Sequence, residues 1–281
     1  MESEDSGVTT EQLNQQHQED LQRLRGFRLL DDDFMTKCFE GEPQYIQFVL
    51  RIVLETPDLQ VTDVHTQVFV ENLLNRSVRL DVLATDGGGR KINVEIQRAD
   101  KDAGRKRARY NSSMMDASLL RKSEDFDKLP ETYVVFITEH DVLGKGWPLY
   151  KVERCILGTS ESFDDSSHIL YVNGAYRDET PIGKLMHDFS CTDPANMYYG
   201  VLADRVRFFK ESKEGVAIMC RVMEDMRIQS LQEGMKQGEQ KNMRATAKRM
   251  LAAGKYSLEE IAEMVGLPLN EVKELQPKQD A

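Results

Sequence analysis

The stretch SVRLDVLATDGGGRKINVEIQR (Ser77–Arg98) constrains the fold more than any other part of the chain. Two runs of alternating residues flank a glycine-rich break, the pattern of an antiparallel hairpin. In the first run Val78, Leu80, Val82 and Ala84 share one face, leaving Arg79, Asp81 and Leu83 on the other. In the second, Ile92, Val94 and Ile96 oppose Asn93, Glu95 and Gln97. Asp86-Gly87-Gly88-Gly89 supplies residues that accept positive φ at the reversal. Pairing centred on Gly88 sets Thr85 opposite Lys91, Leu83 opposite Asn93, Asp81 opposite Glu95 and Arg79 opposite Gln97. Opposed Cβ atoms stand ~4.5–5.5 Å apart, so two carboxylates there repel. A divalent cation between them turns that repulsion into a binding site, and hard oxygen donors suit Mg²⁺ or Mn²⁺. Acids also occupy half-exposed sheets simply because they face water. The pair alone leaves both readings open.

The surrounding pattern alternates helices and strands. Pro43 opens the run QYIQFVLRIVLE, in which Ile46, Val49, Leu50, Val53 and Leu54 recur at helical spacing before Pro57. Val61–Val70 reads as a strand, with His65 on its outer face. After the hairpin, Asp102–Leu120 reads as a helix with Ala108, Met115 and Leu119 on one side and Arg105, Arg109 and Ser112 on another. TYVVFIT (Thr132–Thr138) is a continuous apolar run of strand length, hence a buried strand. The lone Trp147, in a glycine- and proline-containing loop, is expected against the core. Short strands are expected at Tyr150–Arg154 and His168–Val172, and helices from Pro181 onward, including Met197–Phe209 and Gly215–Leu231.

The ends differ in composition. Residues 1–25 are rich in Gln, Glu and Ser and read as a disordered or weakly helical leader. Residues 26–212 form the α/β domain, and 213–254 a charged helical linker. Residues 255–281 are a small helix-turn-helix-like module in which Ser257 and Glu260 form a capping box. That module carries Glu259, Glu260, Glu263, Glu271 and Glu274 against Lys255 and Lys273, a balance that suits protein contact better than DNA contact.

Net charge −11 argues against a protein that coats nucleic acid by bulk electrostatics. The one strongly basic segment holds Arg98, Lys101, Arg105, Lys106, Arg107 and Arg109. Cys38, Cys155, Cys191 and Cys220 are widely spaced, which predicts buried thiols with no zinc site or disulfide framework. No apolar run reaches the ~20 residues needed to span a bilayer. The polar, acidic start is unlike a signal peptide, so a cytoplasmic location is expected.

The words DDDFMTKCF, RSVRLDVLATD, NVEIQRAD and RARYNSSMMDA, from about Asp31 to about Lys210, resemble the PD-(D/E)XK nuclease family transposase, or recombination-promoting nuclease, family. The resemblance implies a restriction-endonuclease-like α/β fold with an αβββαβ core. Its central sheet is mixed and flanked by helices, and here an all-helical extension follows it. It also implies a metal-dependent DNA endonuclease of low sequence specificity, linked to recombination or mobile elements. Asp81 and Glu95 would then ligate Mg²⁺ or Mn²⁺ together with the backbone carbonyl of Ile96. Gln97 stands where the family normally has a catalytic lysine. An amide holds water by hydrogen bonds but takes no proton at neutral pH, so the general base is left open.

Asp33 and Lys37 match the D-x-x-x-K word that opens the family's domain. The resemblance makes Asp33 an accessory metal or water ligand; the alternative is a helix cap within Asp31-Asp32-Asp33. Arg105, Arg109 and Tyr110 are the candidates for contacts with the DNA backbone, against a solvated basic face with Tyr110 in the core. Cutting both strands commonly uses two sites, which would call for a homodimer, although the sequence carries no sign of one. The lysine-to-glutamine change and the acidic C-terminal helices motivate an alternative: a weak or inactive member that regulates by binding DNA or protein.

Overall fold

In the computed structural model, the structure describes residues 10–72, 76–98 and 103–276. It divides into two compact units, residues 1–220 and 221–281. The described part of the leader is a helix, α1 (Thr10–Arg25), whose last turn buries Leu24. It is tied down by the half-buried Lys210 ammonium, which donates to the carbonyls of Arg25 at 3.1 Å, Phe27 at 2.5 Å and Thr192 at 2.5 Å.

Asp31 is the N-cap of α2 (Asp32–Phe39), and α3 (Pro43–Val53) opens on Pro43 at its first turn. Pro suits that position because the first helical N–H groups have no intrahelical partner. Ile46, Val49, Leu50 and Val53 are buried along one stripe of α3, each contributing about 1.5–3 kcal/mol of transfer free energy.

Three antiparallel strands follow: β1 (Val61–Val70), β2 (Val78–Asp86) and β3 (Lys91–Gln97). The crossover helix α4 (Arg105–Leu119) leads to β4 (Thr132–Thr138), which pairs in parallel with β3. Next come β5 (Leu149–Val152), a small separate hairpin of β6 (Cys155–Ile156) and β7 (Glu161–Ser162), and β8 (Ser167–Asn173). The main sheet has the order β1-β2-β3-β4-β8-β5, with β8 parallel to β4 and β5 antiparallel at the edge. The sheet is mixed and flanked by helices, as the sequence resemblance implied, and has six strands. β4 lies between two parallel neighbours, which is why its sequence is continuously apolar rather than alternating.

α4 packs Ala108, Met114 and Met115 with Leu80, Val134, Phe136 and Tyr171 of the sheet. Ser112, expected on the basic face, is instead buried and hydrogen-bonds Ser167 Oγ at 3.0 Å. The unit is completed by α5 (Pro181–Ser190), α6 (Gly200–Glu211) and the start of α7 (Lys213–Ala253). In the second unit, α8 (Leu258–Val265) and α9 (Leu269–Glu274) pack Ile261, Val265 and Val272 around Ala247 of α7. The capping box at Ser257 and Glu260 is present, and Gly266 closes α8 in the left-handed conformation.

Two expectations are corrected. Trp147 is 62% exposed, stacking its ring on Tyr150 at 5.8 Å rather than entering the core. Of the cysteines only Cys38 is buried; Cys155 is exposed, and Cys191 and Cys220 are half-buried. The short loop placing Trp147 holds its backbone by an N–H bond to the Tyr150 hydroxyl, so the indole is left outside.

Candidate active site

The β2–β3 hairpin has the register expected from its alternation: Thr85 pairs with Lys91, Leu83 with Asn93 and Val82 with Val94. Its turn is built by Asp86, whose Oδ1 accepts from the N–H groups of Gly88 at 3.0 Å and Arg90 at 2.9 Å. Gly89 takes a φ of +84°, which a Cβ would strain. The paired stretch ends at Val82/Val94, so the expected Asp81–Glu95 and Arg79–Gln97 pairs are not among the ladder pairs. One residue further on, Asp81 Oδ2 accepts from the Ile96 N–H at 3.1 Å, so a side chain takes the place of a strand partner.

Parallel pairing turns alternate residues toward alternate neighbours. The Gln97 carbonyl accepts from Glu139 N, on the β4 side. The peptide groups of Ile96 therefore face β2, as its N–H to Asp81 shows. The Ile96 carbonyl consequently lies on the same side as the Asp81 carboxylate, past the last β2–β3 pair.

Asp81 and Glu95 are 5% and 0% exposed. Glu95 Oε1 accepts from Asn93 Nδ2 at 2.9 Å, and Oε2 from Arg107 at 3.3 Å. The other arm of the Arg107 guanidinium donates to Gln97 Oε1, also at 3.3 Å. Burial, then the nearby charges of Glu95 and Asp32, push the Asp81 carboxyl up to about 8; the Ile96 N–H and Arg107 pull the other way. Burial also raises Glu95, opposed by its bond from Asn93 and by Arg107. Asp32 is raised by burial and by its neighbour Asp33, against Arg79 and Arg107. Three carboxylates thus share a site where negative charge is costly, partly offset by two guanidinium groups.

A cavity of about 1030 Å³ opens over this site. Asp32, Asp81, Ile96 and Gln97 line it, with Arg76, Arg79, Lys106, Arg107 and Arg109 as its cationic members. Tyr110 also lines it, and its hydroxyl donates to the Arg76 carbonyl. Arg105 does not: it borders a smaller, mostly apolar cavity with Ile169 and Tyr171. At the start of α2 the acid on the site cavity is Asp32, while Asp33 is exposed and absent from the lining. Lys101, part of the basic segment, lies outside the described residues. Lys91, at the far end of the hairpin, donates to Thr85 Oγ1 at 2.8 Å.

Sequence reasoning did not single out Asp32, Arg107, Asn93 or Asn111. The helical offset between Arg107 and Asn111, both on the cavity, was the available signal for two of them. Asn111 is buried, and among the described residues its Nδ2 has no hydrogen-bond partner.

The donor set suits a hard divalent cation: two carboxylates that repel and a backbone carbonyl beside them, with no Cys, His or Met lining the cavity among the described residues. Among the described residues no three His, Cys, Asp or Glu side chains form a ready-made cation cage. No curated protein and no solved structure gives a significant match to the chain. Residues 41–174, which run from α3 through β8 and hold the Asp81/Glu95 hairpin, match the family model described as PD-(D/E)XK nuclease family transposase, and their mixed sheet flanked by helices is a restriction-endonuclease-like α/β fold of that kind.

Proposed function

We propose that the chain is a divalent-metal-dependent DNA endonuclease that hydrolyses phosphodiester bonds with low sequence specificity, in the service of recombination or mobile elements. The observation that carries this reading is Asp81. Its carboxylate is buried, fixed by the Ile96 N–H and set among like charges on the floor of a cavity otherwise rich in arginine. A carboxyl strongly perturbed by burial and by neighbouring charge, in a cleft, is the pattern of functional sites.

Asp81, Glu95 and the Ile96 carbonyl would hold Mg²⁺ or Mn²⁺, which supplies Lewis acidity toward phosphoryl oxygens and water. Gln97 orients the attacking water through its amide, since it cannot take the proton itself. Arg79 and Arg109 neutralise flanking phosphates, and Tyr110 borders the same path. Contacts of that kind position a duplex without reading its bases, which accords with low specificity. Cleaving both strands calls for two such sites and hence a homodimer. Among the described residues the four cysteines form no disulfide, which accords with a reducing, cytoplasmic compartment. Among the described residues no helix is long and apolar enough to cross a membrane.

A second reading, a binding regulator without turnover, is favoured by Gln97 and by the acidic C-terminal module. The test for both is nicking of supercoiled plasmid with Mg²⁺, Mn²⁺ or EDTA, with Glu95→Ala alongside. Cleavage that needs metal and is lost in the variant supports the nuclease. No cleavage by folded protein with any metal transfers the reading to the regulator.

A further inference from the structure

Glu95 is enclosed, with a donor on each of its carboxylate oxygens. Its side chain is fully buried, Asn93 covers Oε1, Arg107 covers Oε2, and Glu95 is absent from the cavity lining that includes Asp81. Arg107 by contrast keeps 40% of its side chain exposed and lines the cavity. The guanidinium therefore stands between the inner carboxylate and the space from which any cation must arrive. Its second arm binds Gln97, the residue at the motif position that lacks a positive charge.

We propose that Arg107 is a latch: in the empty site it serves as the counter-ion of Glu95, an arriving cation displaces it, and the freed guanidinium swings to the non-bridging oxygens of the scissile phosphodiester. This rests on the metal-dependent reading above. The charge that a lysine on β3 would provide is supplied here from α4. Both contacts are at 3.3 Å, the long end of the hydrogen-bond range, so release from them is undemanding. A guanidinium also matches two phosphoryl oxygens at once, which an ammonium does not.

The latch makes opposite demands on two measurements, and this separates it from a merely structural role. A guanidinium that only props Glu95 in place would, when removed, weaken cation binding. A latch competes with the cation, so Arg107→Gln should bind Mn²⁺ more tightly, by about tenfold or more, a factor that corresponds to about 1.4 kcal/mol. At saturating Mn²⁺ the same variant should nick plasmid about a hundredfold or more slowly, the scale seen when a preorganised donor to transition-state charge is lost. Arg107→Lys should recover part of that rate.

The experiment is a direct Mn²⁺ titration of the full chain, wild type, Arg107→Gln and Arg107→Lys, by calorimetry or by the signal of free Mn²⁺. Thermal melts confirm that each is folded, and nicking is then measured at saturating metal. Tighter binding with slower cleavage in Arg107→Gln supports the latch. Unchanged or weaker binding, or undiminished cleavage at saturating Mn²⁺, overturns it. Wild type that binds no Mn²⁺ fails at the first titration, before any variant is considered; that outcome removes the metal reading itself, and the latch with it.

Discussion

Replacing Asp81 by Asn should make the protein more stable while disabling it. Asn keeps an oxygen to accept from the Ile96 N–H and removes the charge that burial, Glu95 and Asp32 oppose. The sign follows from proton linkage. The Asp81 carboxyl is held up to about 8 in the folded protein against 3.8 ordinarily, so between those values the folded state binds a proton that the unfolded chain has released. Stability then falls as pH rises through that window, by up to about 1.4 kcal/mol per pH unit for one proton, and levels off above about 8. The displacement amounts to about 5 kcal/mol at pH 8, the order of a whole domain's stability, and Asn recovers part of it. A gain of at least about 2 kcal/mol is expected, which for a unit of this size is a rise of ~4–8 °C in Tm. The assay is thermal unfolding in EDTA at pH 8 and pH 4.5. The advantage of Asn should be large at pH 8 and shrink toward zero at pH 4.5, and Mn²⁺ should raise the Tm of wild type only. An equal or lower Tm for Asp81→Asn at pH 8, or an advantage indifferent to pH, would refute the reasoning.

Asp32→Asn should lower plasmid nicking at least about tenfold, whereas the exposed Asp33→Asn should leave it within about twofold, tenfold being ~1.4 kcal/mol of barrier; the two rates measured side by side check this. Arg109→Ala and Arg79→Ala should each weaken DNA binding and flatten its log–log salt dependence by ~0.9. Arg105→Ala, away from the site cavity, should leave that slope unchanged; binding measured at four or five salt concentrations distinguishes them.

The hairpin was legible because its information is local. Period-2 alternation fixes which side chains share a face, and the Asp-Gly-Gly-Gly turn fixes the register, so the Leu83–Asn93 and Thr85–Lys91 pairs follow from sequence alone. The end of the paired stretch at Val82/Val94 was not legible, since nothing in the alternation marks where Asp81 exchanges a strand partner for the Ile96 N–H. Helical residues were harder to phase. Each step along a helix turns the side chain by about 100°. At the start of α2 that rotation separates Asp32, on the cavity, from Asp33, in solvent. On α4 it separates Arg107, on the site cavity, from Arg105, the residue that the expected helical face favoured. For the leader the polar composition left disorder and weak helix open; the structure has the helix α1, and the bonds from Lys210 that anchor its end come from the far side of the sequence.

The way Asp81 is held has a bearing on how such a site is inherited. Its support is a main-chain N–H, which every residue except proline possesses. Drift at position 96 can therefore change the side chain freely without disturbing the bond, provided the neighbour remains apolar enough to stay buried. A single insertion or deletion in the 87–90 turn is another matter, because it would shift the register and carry the acids to opposite faces. The site is thus robust to substitution and brittle to length, and among descendants of this chain the spacing between Asp81 and Glu95 should outlast the identity of nearly everything between them.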